Sequence, residues 1–331
     1  MKRLGVAVVG LGVGEAHAKA FAALPACEVR WLFDLDSARA HRVADAIGQG
    51  APAQAFDDLL HDAGVDIISI ASYDDAHGGQ VVAALDAGKH VFVEKPLGRT
   101  IGELRAVKDA CARSRRRLAS NLVLRAAPAY RWLKDSIAHG ALGDVYAFDG
   151  DYLYGRIEKI TQGWRGSVDQ YSVMTGGGIH LVDLMLWAVG QRPDHVAVAG
   201  NRIATSGTAF RYDDFQAATF RFASTLVGRV TANFGCVHRH QHVVRVFGTK
   251  ATFICDDQGP RIFTSRDQPP ARLDLPALPA TKGDLIPAFV EAVIAGGAAS
   301  GDIQHECDVI SACVAADRAA RAGVSIDVEY V

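Results

Sequence analysis

The sequence predicts a doubly wound parallel α/β sheet followed by an α+β domain with an open, mainly antiparallel sheet. Three observations carry this. Leu4–Val9 is a continuous apolar run, as in a strand buried on both faces, and it leads into a glycine-rich turn. Up to about residue 122, short apolar runs alternate with helical patterns of roughly 10–15 residues, which implies right-handed βαβ units. Beyond about residue 125 the pattern changes. From His195 to Phe263, β-branched and aromatic runs follow one another across short turns such as Gly248-Thr249, the signature of antiparallel strands.

Each element has a local reason. The first helix pattern covers Ala16–Leu24 and Pro25 ends it. Glu28–Phe33 is the second strand. Asp36-Ser37 offers a cap to a helix that runs to Ile47 and closes at Gly48. Asp66–Ala71 and His90–Glu94 are strands flanking a helix over Asp75–Ala87 that Gly88 stops. Thr100 caps a helix to Arg113, and Leu118–Leu122 is a strand. Helices over Ala129–His139 and Gly177–Val189 bracket an extended, aromatic-rich stretch. Helices over Asp284–Ala295 and Ile303–Ala322 and a last strand follow the antiparallel region. The expected domains are 1–122 and 123–331.

Composition limits the function. With 331 residues, 49% hydrophobic and 22% charged, the chain suits about two globular domains and not a disordered or fibrous protein. Its net charge of −2 gives no field to draw nucleic acid or an anionic membrane. Arg113, Arg115, Arg116 and Arg117 gather at a helix end, where cations complement the dipole. No apolar run is long enough to span a bilayer. The glycines after Met1-Lys2-Arg3 mark a strand and turn rather than a secretion signal. The six cysteines form no C-x-x-C pair and no zinc spacing, so they read as reduced thiols in a cytoplasmic protein.

Three motifs carry chemistry. Gly10-Leu11-Gly12-Val13-Gly14-Glu15 joins a strand to a helix, where backbone amides and the helix dipole can hold a pyrophosphate. Its third glycine comes one residue earlier than in G-x-G-x-x-G. Asp34, followed by Leu35, ends the second strand twenty residues past Gly14; its carboxylate can bind a ribose diol and repels a 2′-phosphate. NAD is therefore expected over NADP, with Arg39 the residue that could favour the phosphate. Lys95, in KHVFVEKP, sits at the carboxyl end of a parallel strand; it is either a ligand contact or a solvated lysine. In GGGIHLVD, His180 and Asp183 share a helix face, as an acid/base site or as a capped or core histidine would. Arg156, Trp164, Arg165 and Tyr171 lie in the irregular stretch before it, as substrate contacts or interface residues. His238, His240 and His242 alternate along a strand; a solvated or interface face is favoured over a metal site, and no metal is expected.

GLGVGEAHAKAF, IISIASYDDAH, AGKHVFVEKPLG and GGGIHLVDLMLWAVG, in this order and spacing, resemble the Gfo/Idh/MocA oxidoreductases, and the resemblance runs over essentially the whole chain. It implies a Rossmann domain, a second α/β domain whose open sheet makes a homodimer or homotetramer, and NAD(H) or NADP(H). It implies oxidation of a secondary alcohol on a sugar-like or cyclitol substrate. Lys95 becomes a catalytic residue and His180 the proton acceptor, with Asp183 in support. Ser72, Tyr73, Asp74, His77 and Glu94 line the nicotinamide side, and Arg125 joins the substrate contacts. The chain departs from the pattern at Ser72-Tyr73-Asp74, where members often have Thr-Pro-Asn. It departs again at Gly176, where many carry an aspartate four residues before the histidine. Asn121 comes two residues earlier than the usual asparagine. A nucleotide-sugar dehydrogenase, a cofactor-recycling sugar oxidoreductase and a non-catalytic dinucleotide sensor are the alternatives.

Overall fold

Val6, Val8 and Val9 of the opening strand are almost fully buried, and this strand, β1 (Leu4–Val9), sits inside a six-stranded parallel sheet. The computed structural model describes residues 3–169, 171–276, 282–296 and 303–331. Two units form: Met1–Val123 with Pro279–Cys307 and Val331, and Leu124–Leu278 with Asp308–Tyr330.

In the first unit the chain runs β1, α1 (Gly14–Ala22), β2 (Cys27–Phe33), α2 (Ser37–Ile47), β3 (Ala51–Pro52), α3 (Phe56–His61), β4 (Ile67–Ile70), α4 (His77–Asp86), β5 (His90–Val93), α5 (Ile101–Ser114) and β6 (Leu118–Ser120). The sheet order is β3-β2-β1-β4-β5-β6. The order reverses between β1 and β4, so their carboxyl ends open the crevice where such sheets hold ligands. The expected caps form: Asp36 accepts from the Arg39 amide at 3.3 Å, Thr100 Oγ1 accepts from the Glu103 amide at 3.1 Å, and Gly48 turns left-handed at φ 65°. β3 and α3 were not legible. β3 is two residues long, and its Pro52 suits a sheet edge.

A single boundary at residue 122 leaves out a return of the chain. The helix α9 (Ile286–Ala295) packs Ile286, Phe289 and Val290 into the core made by Val6, Phe21, Leu32 and Phe92 of the first unit. The Phe92 and Phe289 rings lie 5.5 Å apart. The α9 pattern was legible, but its partner could not be, because the packing joins segments nearly two hundred residues apart.

The second unit carries α6 (Pro128–Ala138), β7 (Val145–Leu153), α7 (Glu158–Thr161), α8 (Ile179–Val189) and the strands β8 (His195–Asn201), β9 (Phe215–Arg221), β10 (Val227–Asn233), β11 (Gln241–Gly248), β12 (Thr252–Asp256), β13 (Gly259–Phe263), β14 (Ala271–Arg272) and β15 (Ile326–Asp327). Most of α10 (Ile303–Ala322) belongs here too. The nine strands form one sheet in the order β14-β13-β12-β11-β7-β10-β9-β8-β15. Only β7 and β10 pair parallel; the other pairs are antiparallel. Along β7, Phe148, Gly150 and Tyr152 are buried, and α8 lies close enough over them that a Cβ at Gly150 would meet Leu181 at 3.2 Å. The alternate residues Asp149 and Asp151 face the other way and pair with Arg229 and Arg245, each at 2.9 Å.

Phe289→Ala is expected to destabilise the protein by about 3–5 kcal/mol, the cost of a core aromatic. Urea unfolding measures it. A change no larger than that of a surface substitution would remove α9 from the first core.

Candidate active site

The glycine-rich turn of the first unit is shaped around open space. Gly10 is left-handed (φ 78°), and a Cβ there would lie 2.5 Å from the Ala71 carbonyl oxygen. A Cβ at Gly12 would meet nothing within 4 Å, so the backbone is bare where α1 begins two residues later. That geometry suits a pyrophosphate on a helix N-terminus. Leu11 donates its amide to Asp34 Oδ2 at 2.6 Å, which locks the turn to the end of β2. Glu15 points away along α1 to Lys19 at 2.5 Å. Val13, Leu35 and Tyr73 are exposed apolar side chains along this edge, Leu35 to 86%. They give a flat ligand something to cover.

Asp34 also binds a cation of the protein. Arg39 Nη1 donates to its two oxygens at 3.2 and 3.3 Å, and Arg39 Nη2 lies 3.8 Å from Asp36. The cation that could serve a 2′-phosphate is thus held by two carboxylates.

At the end of β5, Glu94 is buried and its Oε1 is held by two side chains. His17 Nε2 of α1 lies 3.2 Å from its Oε1, Asn121 Nδ2 donates to the same oxygen at 2.7 Å, and Asn121 also donates to the Lys282 carbonyl at 2.7 Å. The other ring nitrogen of His17 meets Ser69 Oγ of β4 at 2.9 Å. Burial alone would push the Glu94 carboxyl up. The His17 hydrogen bond and the charges of His17, Lys282 and Lys95 outweigh it and hold the pKa at about 2. Asn121, which departs by two residues from the usual place, is the residue that completes this network. Glu94 Oε1 is therefore held by His17 and Asn121. His77 is held in a similar way. Its Nδ1 bonds the Pro96 carbonyl at 2.8 Å and its Nε2 the Ser72 carbonyl at 3.1 Å, so it staples the two loops that follow β4 and β5. Ser72 gives its hydroxyl to Gln80 at 2.6 Å, and Asp74 is buried, while Tyr73 stays half-exposed.

In the second unit His180 opens α8, behind a π-helical turn over Met174–Gly178. A Cβ at Gly177 would fall 2.3 Å from the Tyr152 ring, so this glycine lets the helix start press against β7. His180 is 5% exposed and stacks on Tyr152 at 6.2 Å. His242 stands opposite Tyr152 in the β7–β11 register and meets His180 edge-on at 5.7 Å; His240 lies 4.9 Å from His242 and 5.2 Å from Tyr152. The sequence favoured a solvated or interface face for His238, His240 and His242. The structure adds that the half-buried His240 and His242 form a wall with His180. The signal was present as two alternations, Tyr152-x-Tyr154 and His240-x-His242, but only the strand pairing brings them together. His238 alone pairs outward, with Asp257 at 3.2 Å. Among the described residues no His, Cys, Asp or Glu group is placed to hold a metal ion.

Arg156 lies over the Tyr154 ring at 5.3 Å and Arg165 over Trp164 at 4.5 Å. Burial raises the Tyr152 phenol well above its ordinary range, and the charges of Arg165 and Arg156 partly offset this, which brings both arginines within electrostatic reach of the wall. Arg125 and Asp183 bind one another. Arg125 Nε reaches both Asp183 oxygens at 3.1 Å, and Nη2 reaches Oδ1 at 2.6 Å, with the Asp183 side chain 1% exposed. This bidentate pair ties α8 to the turn before α6 and anchors the helix that carries His180.

Asp317 of α10 holds the residues ahead of the π-turn. It accepts from Ser172 Oγ at 2.5 Å and Thr175 Oγ1 at 3.0 Å. Desolvation raises its pKa to about 6, against the lowering effect of those hydroxyls and of Arg321.

Three outcomes follow from this geometry. Asp34→Ser removes the carboxylate and releases Arg39, so kcat/KM with NADP should gain on NAD by about tenfold, roughly 1.4 kcal/mol; an unchanged ratio would show that Asp34 does not set the choice. Asp183→Asn removes the buried charge that Arg125 binds in two places and should cost about 3–5 kcal/mol in urea unfolding; a loss of activity at unchanged stability would place Asp183 in the chemistry. Because the Asp317 pKa is raised on folding, the stability it contributes is full below the ordinary carboxylate range and is lost as pH rises through about 6. Asp317→Asn should therefore flatten the stability profile between pH 4 and 7, measured as Tm, and an unaltered slope would contradict the shift.

Comparison with known proteins agrees with this architecture. Residues 4–122 match the family described as an oxidoreductase family with an NAD-binding Rossmann fold, and residues 130–254 match the GFO/IDH/MocA C-terminal domain. The chain is 27% identical over 290 residues to levoglucosan dehydrogenase of Pseudarthrobacter phenanthrenivorans, covering 77% of this chain and 74% of that one. It is 29% identical over 255 residues to inositol 2-dehydrogenase of Rubrobacter xylanophilus, covering 76% and 71%. A solved levoglucosan dehydrogenase in complex with NADH and levoglucosan shares the fold at a TM-score of 0.88, with 22% identity and full coverage of both chains. The myo-inositol 2-dehydrogenase of Lactobacillus plantarum does so at 0.85, with 20% identity, covering 99% of this chain and 100% of that one. With both halves matched by sequence and its two sheets shared with these structures, the chain belongs to the Gfo/Idh/MocA family of NAD-binding oxidoreductases.

Proposed function

We propose that this oxidoreductase is a dehydrogenase that oxidises a secondary alcohol of a sugar or cyclitol, with NAD as its cofactor. The observation that carries the reading is the setting of His180: a buried imidazole at the start of a helix, faced by Tyr152 and two further histidines. Such a wall offers rings to the C–H faces of a polyol and nitrogen and hydroxyl groups to its oxygens. The named relatives act on levoglucosan and inositols, which are compact neutral polyols of that kind.

The turn from Gly10 to Gly14 and Asp34 would hold NAD, which supplies the hydride acceptor when bound. His180 takes the hydroxyl proton as the carbon–oxygen double bond forms. Lys95 donates a hydrogen bond to that oxygen and stabilises its developing negative charge. Glu94, its negative charge buried, lies within electrostatic reach of that ammonium. His240 and His242 orient the remaining hydroxyls. A homo-oligomer assembled through the open sheet, whose Tyr146 is 55% exposed, completes the reading. A cytoplasmic setting is supported by six thiols that form no disulfide. No described helix is long and apolar enough to cross a membrane.

A panel of inositols, anhydrosugars and aldoses, followed by NADH absorbance, should give turnover with at least one member. In that assay Lys95→Ala should lose about 10²–10³ in kcat, and His180→Ala about 10²–10⁴. NAD binding, measured by fluorescence, should be retained in both. Absence of turnover across the panel, or full activity in either variant, would sink the assignment it concerns.

A further inference from the structure

The row of rings at His180 does not end at Tyr152. The Tyr154 ring lies 5.9 Å from Tyr152 and nearly parallel to it, packs on Phe234 at 4.5 Å and meets His240 edge-on at 5.6 Å. Directly after Tyr154 the chain turns left-handed at Gly155 (φ 58°), where a Cβ would run into the His238 carbonyl oxygen. Only glycine lets the end of β7 and the β10–β11 connection come so close. The turn carries the exposed Arg156 back over the Tyr154 ring, with Cζ 5.3 Å from its centroid. Arg156 thus stands at the outer end of a row of rings whose inner end is His180.

Charge separates Arg156 from the cations around it. Arg239 and His238, across the close approach, both bind Asp257. Arg125 binds Asp183, and Arg211 lies 3.8 Å from Asp169. Arg156 pairs with no carboxylate among the described residues, and its charge, like that of Arg165, reaches the Tyr152 phenol. A guanidinium that lies over a ring keeps its planar N–H fork for a second partner, and that fork matches the two oxygens of a carboxylate.

We propose that the substrate of this site is a polyol that carries a carboxylate, such as a uronate, and that Arg156 binds that carboxylate. The inference rests on the dehydrogenase reading above. The hydroxyl to be oxidised lies at His180, the rings of Tyr152 and Tyr154 cover the C–H face of the sugar, and the carboxylate accepts from the Arg156 fork. The carboxylate takes no part in the oxidation. A neutral polyol leaves the Arg156 charge without a counterpart, so charge complementarity favours the acid.

The test is titration calorimetry of the NADH-loaded protein with glucuronate against glucose and galacturonate against galactose. At low ionic strength the wild type should bind at least one uronate about tenfold more tightly than its parent hexose, and added salt should narrow the gap. Arg156→Gln, a change at an exposed position, should bring that ratio to about one. Uronates that bind no more tightly than their parents, or not at all, would overturn the proposal, as would a preference that Arg156→Gln leaves intact. A hexose phosphate that binds more tightly than either uronate would overturn the choice of a carboxylate. Turnover is read separately by NADH absorbance. A wild type that prefers uronates but oxidises no polyol would keep the carboxylate site and fail the dehydrogenase reading. A wild type that oxidises neutral polyols and shows no uronate preference would fail the carboxylate site alone.

Discussion

A buried carboxylate is costly unless it is paired, and in this protein the pairing of Glu94 organises the ligand-bearing edge of the first unit. Its partners come from α1, from the end of β6 and, through Asn121, from the carbonyl of Lys282 in the returning segment. The glycine-rich turn leads directly into the helix that carries His17. Lys95 follows Glu94 in the chain. One ionised group therefore ties the helix after the glycine-rich turn, the segment that carries Lys95 and the end of the sheet together. Apolar packing around Phe92, Phe21 and Phe289 forms the core beneath this network.

The second unit solves a different problem, which is to bring a helix start hard against a sheet. Gly177, the middle of three consecutive glycines, lets the chain before His180 approach Tyr152 and Phe234 more closely than any side chain would allow. Two carboxylates, Asp183 buried and Asp317 partly so, then hold the arrangement. Asp183 binds Arg125 and fixes the helix, and Asp317 binds Ser172 and Thr175 and fixes the approach to it. Together they set where the His180 ring stands.

Much of this was legible along the chain, where local rules apply. The apolar runs of β1, β4 and β5, the Asp36 and Thr100 caps and the helix ending at Gly48 follow from periodicity and capping alone. So do the motif residues Gly10–Gly14, Lys95 and His180, because each lies at a junction the pattern locates. What was not legible depends on long-range contacts. The return of α9 to the first core joins Phe289 to Phe92. The His240–His242 wall needs the β7–β11 register. Asp183 and Arg125 were each singled out, yet their spacing of 58 residues conceals that they bind one another. The internal partners of His77 and Glu94 were likewise hidden: both ring nitrogens of His77 meet carbonyls of two loops, and Glu94 Oε1 binds His17 and Asn121.

The central claim is that the charge of Glu94, buried within electrostatic reach of Lys95, sets up that lysine for hydride transfer. Glu94→Gln preserves the shape and removes the charge. The direct measurement is the single-turnover rate of NADH formation in wild type and Glu94→Gln, with a polyol that the wild type oxidises. The account predicts a rate lowered by about 10²-fold, with the NAD dissociation constant changed by less than about twofold. Equal rates in the two proteins would contradict it.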